Sequence, residues 1–151
     1  MFFIKIKYYI AKVLQLFISD KIFTYLRYFS KYKKFPNLDK PCTFNEKLAY
    51  SKIYDKSKKR TVLADKFLLK SYVSKILGKE YVIETLQIVN KVEDINFKSL
   101  PNSFILKATH GSGWNILIKN KANINEKLIL EKCKNFLSMN YYYYAREYQY
   151  F

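Results

Sequence analysis

The sequence predicts an α/β (α+β) fold in which helices come first and a pair of strands follows. Near the N-terminus, apolar residues recur at helical spacing between Ile6 and Phe17. Residues 104–107 and 114–119 are rich in apolar and aromatic residues, and they flank a loop that contains two of the chain's three glycines. Asn125 then precedes another amphipathic helical pattern. Helices on both sides of a strand pair therefore define the predicted fold.

The first helical segment, residues 4–33, is predicted as one or two helices and is both apolar and basic. Its apolar stripe consists of Ile6, Ile10, Val13, Leu14 and Phe17. Cations along it and just after it include Lys5, Lys12, Lys21, Arg27, Lys31, Lys33 and Lys34. One interpretation is a helix that lies in the plane of a membrane. The other is a helix whose stripe packs on the rest of the domain, which is the commoner use of such a stripe.

Two helices with recognisable caps follow. Thr43 and Glu46 form a capping box, so a helix is expected from there to about Tyr54. Asp65 is a candidate N-cap of the next helix, and Gly78 suits the position after its last turn. The predicted apolar stripe of that helix consists of Leu69, Val73, Ile76 and Leu77.

The rest of the chain gives weaker patterns. Residues 81–83 and 86–89 are short β-prone runs, and residues 92–100 are predicted as a polar connector. The predicted buried face of the helix after Asn125 consists of Ile129, Cys133, Phe136 and Leu137. Residues 141–151 are mostly aromatic, and we expect them to expose apolar faces and to promote self-association without a packing partner.

The composition permits a core and is strongly basic. Half of the 151 residues are apolar, and the formal net charge is +16. Such a charge would attract nucleic acid, an acidic membrane surface, or a nucleotide and an acidic polymer. Frequent Lys, Asn, Ile, Tyr and Phe are also what an A+T-rich coding sequence produces without any such partner. The lysines are scattered and the aromatics match no RNP or OB pattern, so nucleic acid is the least favoured partner.

Cysteine and hydropathy patterns bound the class of protein further. Cys42 and Cys133 lie far apart, and the chain has one histidine, so no Cys/His metal site is predicted. We expect reduced thiols in a cytoplasmic protein, with Cys133 as a small core residue. The apolar stretch at residues 13–19 is far shorter than a membrane span of about 20 residues. No small-residue signal cleavage site follows it.

The loop between the two predicted strands has the features of a phosphate-binding loop. Gly111 and Gly113 indicate a backbone with positive φ or close approach to a ligand. Exposed N–H groups there would suit phosphate oxygens, and the Lys107 ammonium would supply the countercharge. It is not a Walker loop, because GxxxxGK[ST] is absent and a strand follows the glycines. An ordinary hairpin loop with a surface lysine would have the same pattern.

Four sequence blocks together resemble the TupA-like (teichuronopeptide-biosynthesis type) ATP-grasp proteins, which are often labelled glycosyltransferases or polysaccharide biosynthesis proteins. The blocks are residues 40–48 (KPCTFNEKL), 63–66 (LADK), 100–113 (LPNSFILKATHGSG) and 145–148 (AREY). Their order and spacing agree over nearly the whole chain from residue 40. The resemblance divides the chain into a basic aromatic helical segment, residues 1–39, and a partial ATP-grasp-like domain, residues 40–151. That domain would hold the first nucleotide-binding lobe and end before the hinge and the second lobe.

The resemblance implies ATP and magnesium as cofactors. The cofactor-binding residues that it implies are Lys66, Lys107, His110, Gly111, Ser112 and Gly113. The lysines would hold nucleotide phosphates, and the loop would close over them. The implied reaction activates a carboxylate as an acyl phosphate and then forms an amide with an amine. The family's magnesium ligands lie in the second lobe, and residues 1–151 contain no carboxylate cluster with ligand spacing.

Each candidate residue also has a structural interpretation. Lys66 could be a solvated lysine at a helix N-terminus, although the helix dipole does not favour a cation there. His110 could bond a phosphate or a substrate, or it could cap the turn. Asn45 and Glu46 could contact substrate, but the capping box is the simpler interpretation.

Two functional hypotheses follow. The first is a truncated, cytoplasmic ATP-grasp ligase-like protein of cell-surface polysaccharide or teichuronopeptide biosynthesis, which binds ATP weakly at best. The sequence leaves open whether a separate chain supplies the missing lobe. The alternative is a non-catalytic basic module, peripheral at the inner membrane face, whose residues 4–34 bind an anionic membrane surface beside glycan-assembly enzymes.

Overall fold

The computed structural model describes residues 2–150, with side chains from Lys5 onward. In this part of the chain the α-helices are α1 (Phe2–Phe17), α2 (Asp20–Tyr32), α3 (Phe44–Tyr54), α4 (Lys58–Ala64), α5 (Lys66–Leu77), α6 (Glu126–Leu137) and α7 (Tyr142–Ala145). The strands are β1 (Phe104–Lys107) and β2 (Asn115–Ile118), which pair antiparallel. This mixture of helices with a small antiparallel sheet is an α+β fold, as the sequence predicts.

The chain forms two compact units. The first consists of Met1–Val62 and Asn140–Phe151, and the second is Leu63–Met139. The first unit is therefore built from both ends of the chain. The predicted division at residue 39/40 rests on the family motifs alone, and it stays a prediction.

In the first unit, the N-terminal segment forms two helices, as predicted, but the apolar stripe of α1 does not face a core. Ile10 is 55 % exposed, Val13 54 % and Phe17 78 %. The opposite face carries the buried residue Tyr8, whose ring lies 5.7 Å from those of Tyr143 and Tyr144. The core-packing interpretation of the stripe is wrong, because aromatic rings of α7 pack on the other side of the helix.

The C-terminal aromatic segment is packed, contrary to the prediction of exposed apolar faces. Tyr142 and Ala145 are buried, and Arg146 is 1 % exposed. The Tyr142 hydroxyl donates to the Asp20 carboxylate at 2.7 Å, and Arg146 Nη1 donates to the same carboxylate at 3.0 Å. The partner that the aromatic segment needs is thus supplied by the chain's own N-terminal helices.

The turn before α3 is organised by one carboxylate. The Glu46 side chain accepts hydrogen bonds from the backbone N–H groups of Asn37, Cys42 and Thr43, and from the Thr43 hydroxyl. The Thr43 hydroxyl in turn accepts from the Glu46 N–H, so the predicted capping box is confirmed. These bonds hold the segment that contains Leu38, which packs with Tyr28 and Ala49 in the first unit's core.

The second unit has its core behind the β1–β2 hairpin. The buried cluster consists of Phe97, Leu100, Phe104, Ile118 and Ile129. Trp114, Ile116 and Ile118 lie on the inward side while their neighbours are exposed, which confirms the predicted period of two. Cys133 packs against this cluster, and burial raises the pKa of its thiol.

Three other predictions for the second unit are corrected. Residues 81–83 and 86–89 form no strand in the described chain, because no neighbouring strand pairs with them. Residues 92–100 are more than a polar connector, since Val92, Phe97 and Leu100 are buried.

The stripes of two helices also differ from prediction. On α5 the stripe is largely open, with Ile76 59 % and Leu77 58 % exposed. On α6 Leu137 is exposed, although Ile129 is buried. Helical spacing identifies an apolar face, but contacts made elsewhere in the chain decide whether it is covered.

Candidate functional site

The loop from Ala108 to Trp114 follows β1 directly and has the backbone that the sequence predicts. Gly111 has φ +86° and Gly113 has φ +75°, both in the region that favours glycine. A Cβ on Gly111 would lie 2.8 Å from the Trp114 ring, whereas a Cβ on Gly113 would meet nothing within 4 Å. Gly111 is therefore needed for internal packing, while a side chain at residue 113 would enter open space beside the loop.

The loop presents backbone donors that have no acceptor among the described residues. Within residues 2–150, none of the N–H groups of residues 110–113 donates a hydrogen bond to another protein group. Ser112 and Gly113 are also exposed. Unused, neighbouring N–H groups in a loop with positive φ are suited to an anion with several oxygens.

Lys66 joins this loop to the start of α5. Its N–H donates to Thr109 O at 3.1 Å, and its Nζ donates to Gly111 O at 2.6 Å and to Thr109 O at 3.4 Å. An ammonium has three N–H donors, so one is left for a ligand. Asp65 fixes the helix start as predicted, because its carboxylate accepts from the N–H groups of Phe67 and Leu68.

Lys107 stands at the other side of the loop. It is the last residue of β1, is paired with Asn115 and is exposed. The pKa of Lys66 is lowered chiefly by burial and further by repulsion from Lys107, against an opposing effect of Asp65. Lys66 and Lys107 thus lie on either side of the loop, and an anion bound there would offset the repulsion between their charges.

His110 anchors the loop to α6. Its Nε2 lies 3.1 Å from Phe136 O, and a carbonyl can only accept, so Nε2 carries the proton of this bond. The His110 ring meets the Trp114 ring edge-on at 5.3 Å, and Trp114 stacks on Phe136 at 5.9 Å. This bond to α6 is neither of the two roles that the sequence leaves open for His110, which are a cap of its own turn and a contact with a phosphate or a substrate. The contact with a phosphate stays a prediction.

The remaining candidates lie in the first unit. The Glu46 carboxylate is occupied by its own turn. The N–H groups and the hydroxyl that donate to it, chiefly the N–H of Thr43, lower its pKa to about 2. Asn45 lines a cleft of about 230 Å³ that sequence reasoning missed. Its cationic lining residues are Arg27, Lys31 and Lys52. All three have protein partners, because Arg27 donates to Tyr144 O, Lys52 pairs with Glu147 and the Lys31 ammonium lies over the Tyr32 ring.

Sequence reasoning also missed the role of Trp114, which it assigned only to a strand face. The signal was present, because an aromatic residue directly follows the Gly-Ser-Gly stretch. The Trp114 ring packs against Gly111 and stacks on Phe136, so it links the loop to α6.

The described residues fit the two implied cofactors differently. Unused N–H groups and two ammonium groups match the phosphates of a nucleotide. No group of three or more His, Cys, Asp or Glu side chains in the described chain could hold a metal ion, so we assign no magnesium ligand here. No helix among the described residues is long and apolar enough to cross a membrane.

Together, the fold and the loop define an α+β protein with a hairpin loop complementary to an anion. A family model described as TupA-like ATPgrasp matches residues 46–151, which is more than half of the chain. This chain therefore belongs to the TupA-like ATP-grasp family. No curated protein matches it, and no solved structure does.

Proposed function

We propose that the second unit binds the phosphates of ATP and that the chain serves an ATP-dependent ligase reaction of cell-surface polysaccharide or teichuronopeptide synthesis. Family membership supports the use of ATP. The observation that carries the proposal is the meeting of unused N–H groups at residues 110–113 with Lys66, which bonds the loop, and with Lys107, which ends β1 directly before it. Sequence separations of more than 40 residues make this meeting a product of folding.

Each part of the site has a distinct task in this proposal. The N–H groups of the loop would orient phosphate oxygens, and the lysines would balance their charge. Lys66 would also keep the loop in place through Gly111 O. Because these contacts are directed at charge on a transferring phosphoryl group, they would favour formation of an acyl phosphate from a bound carboxylate. Magnesium would supply further neutralisation of phosphate charge when bound, and the described residues include no group of ligands that would hold it.

Binding can be followed with the protein's own fluorescence. Trp114 is the chain's single tryptophan, and its ring packs under Gly111. We expect ATP to change its emission in a saturable way. Inorganic triphosphate should compete with ATP and adenosine should not, because the proposed contacts are made to phosphates.

A matched pair of lysine variants tests the site against general charge attraction. Lys107→Gln should weaken ATP binding by about 10-fold or more, since a hydrogen bond to a charged group contributes about 1.5–3 kcal/mol. Lys119→Gln is the control, because this exposed lysine follows β2 at the end of the hairpin opposite the loop. Equal weakening by both variants would show that ATP is attracted by the net charge of +16 and not by the loop.

A further inference from the structure

The exposed apolar face of α1 is arranged in a way that a water-facing helix does not require. At about 100° per residue, the exposed apolar side chains cover roughly 160° of the helix surface. They are Ile6, Tyr9, Ile10, Val13, Leu14, Leu16 and Phe17. The face opposite this stripe carries Tyr8, which is buried and whose hydroxyl accepts from the Asn140 N–H at 3.3 Å. The orientation of α1 is thus fixed, with its apolar stripe turned outward.

Lysines border the stripe on both sides. On the same helical projection, Lys5 and Lys12 fall along one edge and Lys7 along the other. All three are exposed. A long side chain at the edge of an apolar face can keep its methylene groups on that face and extend its ammonium to a polar layer. An apolar stripe with cations along both edges matches the cross-section of a lipid headgroup region.

The net charge of residues 1–34 is positive, as binding to anionic lipid headgroups requires. Residues 1–34 contain eight Lys or Arg and one acidic residue, Asp20. The Asp20 carboxylate is occupied by the Tyr142 hydroxyl and by Arg146, so it does not offset the lysines at the surface. The segment is therefore complementary to anionic headgroups in charge as well as in polarity.

The length of α1 favours a helix that lies along a bilayer surface over one that crosses the bilayer. Its 16 residues extend about 24 Å, which is less than the ~30 Å hydrocarbon core of a bilayer. We propose that α1 lies in the plane of an anionic lipid bilayer surface, with Val13 and Phe17 entering the headgroup boundary and Lys5 and Lys7 contacting headgroup phosphates. This contact would hold the phosphate-binding unit beside substrates that are assembled on a membrane.

Vesicle co-sedimentation of the full chain tests the proposal. Phosphatidylcholine vesicles with phosphatidylglycerol should bind the protein at low salt, and vesicles of phosphatidylcholine alone should bind it much more weakly. Higher salt should reduce binding, because the charge contribution is screened. Equal binding to both lipids, or no binding to the anionic vesicles at low salt, would overturn the proposal.

Two pairs of variants locate the contact. Lys5→Gln with Lys7→Gln should lower the partition coefficient by about fivefold for each lysine. Ile10→Ser with Phe17→Ser should abolish most of the binding, because both side chains lie in the stripe. Lys12 is kept, since its ammonium lies 5.7 Å from the Tyr143 ring centre. Circular dichroism should show unchanged helix content in each variant.

Matched changes elsewhere are the controls. Lys127→Gln with Lys132→Gln removes two exposed lysines of α6, and Ile76→Ser with Leu77→Ser removes two exposed apolar residues of α5. Both control proteins should bind as the original does. Equal losses in the controls would overturn the assignment to α1. Self-association through α1 without vesicle binding would also overturn it, and would assign the stripe to a second copy of the chain.

Discussion

The two glycines of the loop have the same backbone requirement but different surroundings, which makes them a natural comparison. Gly111→Ala should cost about 2–4 kcal/mol, from the positive φ and from the Cβ placed 2.8 Å from the Trp114 ring. Gly113→Ala should cost about 1 kcal/mol, because only the backbone term applies. Urea unfolding followed by circular dichroism measures both values. Equal costs would contradict a supporting role for Trp114.

The same pair separates folding from binding. An alanine at residue 113 would project into the open space beside the loop. If a phosphate occupies that space, Gly113→Ala should weaken ATP binding more than its small effect on stability would suggest. Binding that is unchanged in this variant would place the ligand elsewhere.

At the level of the element, α3 and the turn before it depend on one ionised carboxylate. The pKa of Glu46 is lowered from its ordinary value of 4.5 to about 2, chiefly by the Thr43 N–H. A lowered pKa in the folded state means that the ionised form stabilises the fold. This contribution is fully present above pH about 4.5 and is lost as the pH falls toward about 2.

Glu46→Gln should therefore destabilise the protein near neutral pH and have a smaller effect in acid. The free energy of unfolding of both proteins should be measured from pH about 7 down to about 2. The two curves should converge below pH about 4.5. Glu84→Gln, at an exposed position, is the control and should follow the original curve. A difference between Glu46→Gln and the original that stays constant over this range would rule out the charge of Glu46 as the cause.

At the level of the whole molecule, the C-terminal segment packs on the N-terminal helices within the first unit. Arg146 is 1 % exposed and donates to the Asp20 carboxylate and to Ile18 O. Its guanidinium carbon lies 4.9 Å from the Phe23 ring centre. Within the described residues, its Nε and Nη2 have no hydrogen-bond partner. This buried cation consequently depends strongly on Asp20.

Asp20→Ala should destabilise the protein by about 2–4 kcal/mol, because it leaves a buried guanidinium without its counter-ion. The estimate is below that for a fully buried pair, since the Asp20 side chain is 37 % exposed. Asp94→Ala, at an exposed position, should change the free energy of unfolding by less than about 0.5 kcal/mol. Similar values for both variants would show that the contact between the chain ends contributes little.

The sequence by itself determined the features that depend on residues a few positions apart. The capping box of Thr43 and Glu46, the N-cap Asp65 and the positive φ of Gly111 and Gly113 follow from local hydrogen bonds and local sterics. The alternation along β2 is likewise a local property of an extended chain. Family membership was recognisable for a related reason, because it depends on the order and spacing of short motifs.

Only the tertiary structure decided which faces are covered and which distant residues meet. The spacing of the α1 stripe is compatible with a core face and with an exposed surface. The stripe is exposed because rings of the C-terminal segment pack on the other side of the helix. The packing of the C-terminal segment on the N-terminal helices buries Tyr142 and Ala145, although the sequence predicted exposed apolar faces there. Lys66 reaches Gly111 across 45 positions. Periodicity specifies a face and a spacing, but burial and long-range hydrogen bonds depend on the path of the whole chain.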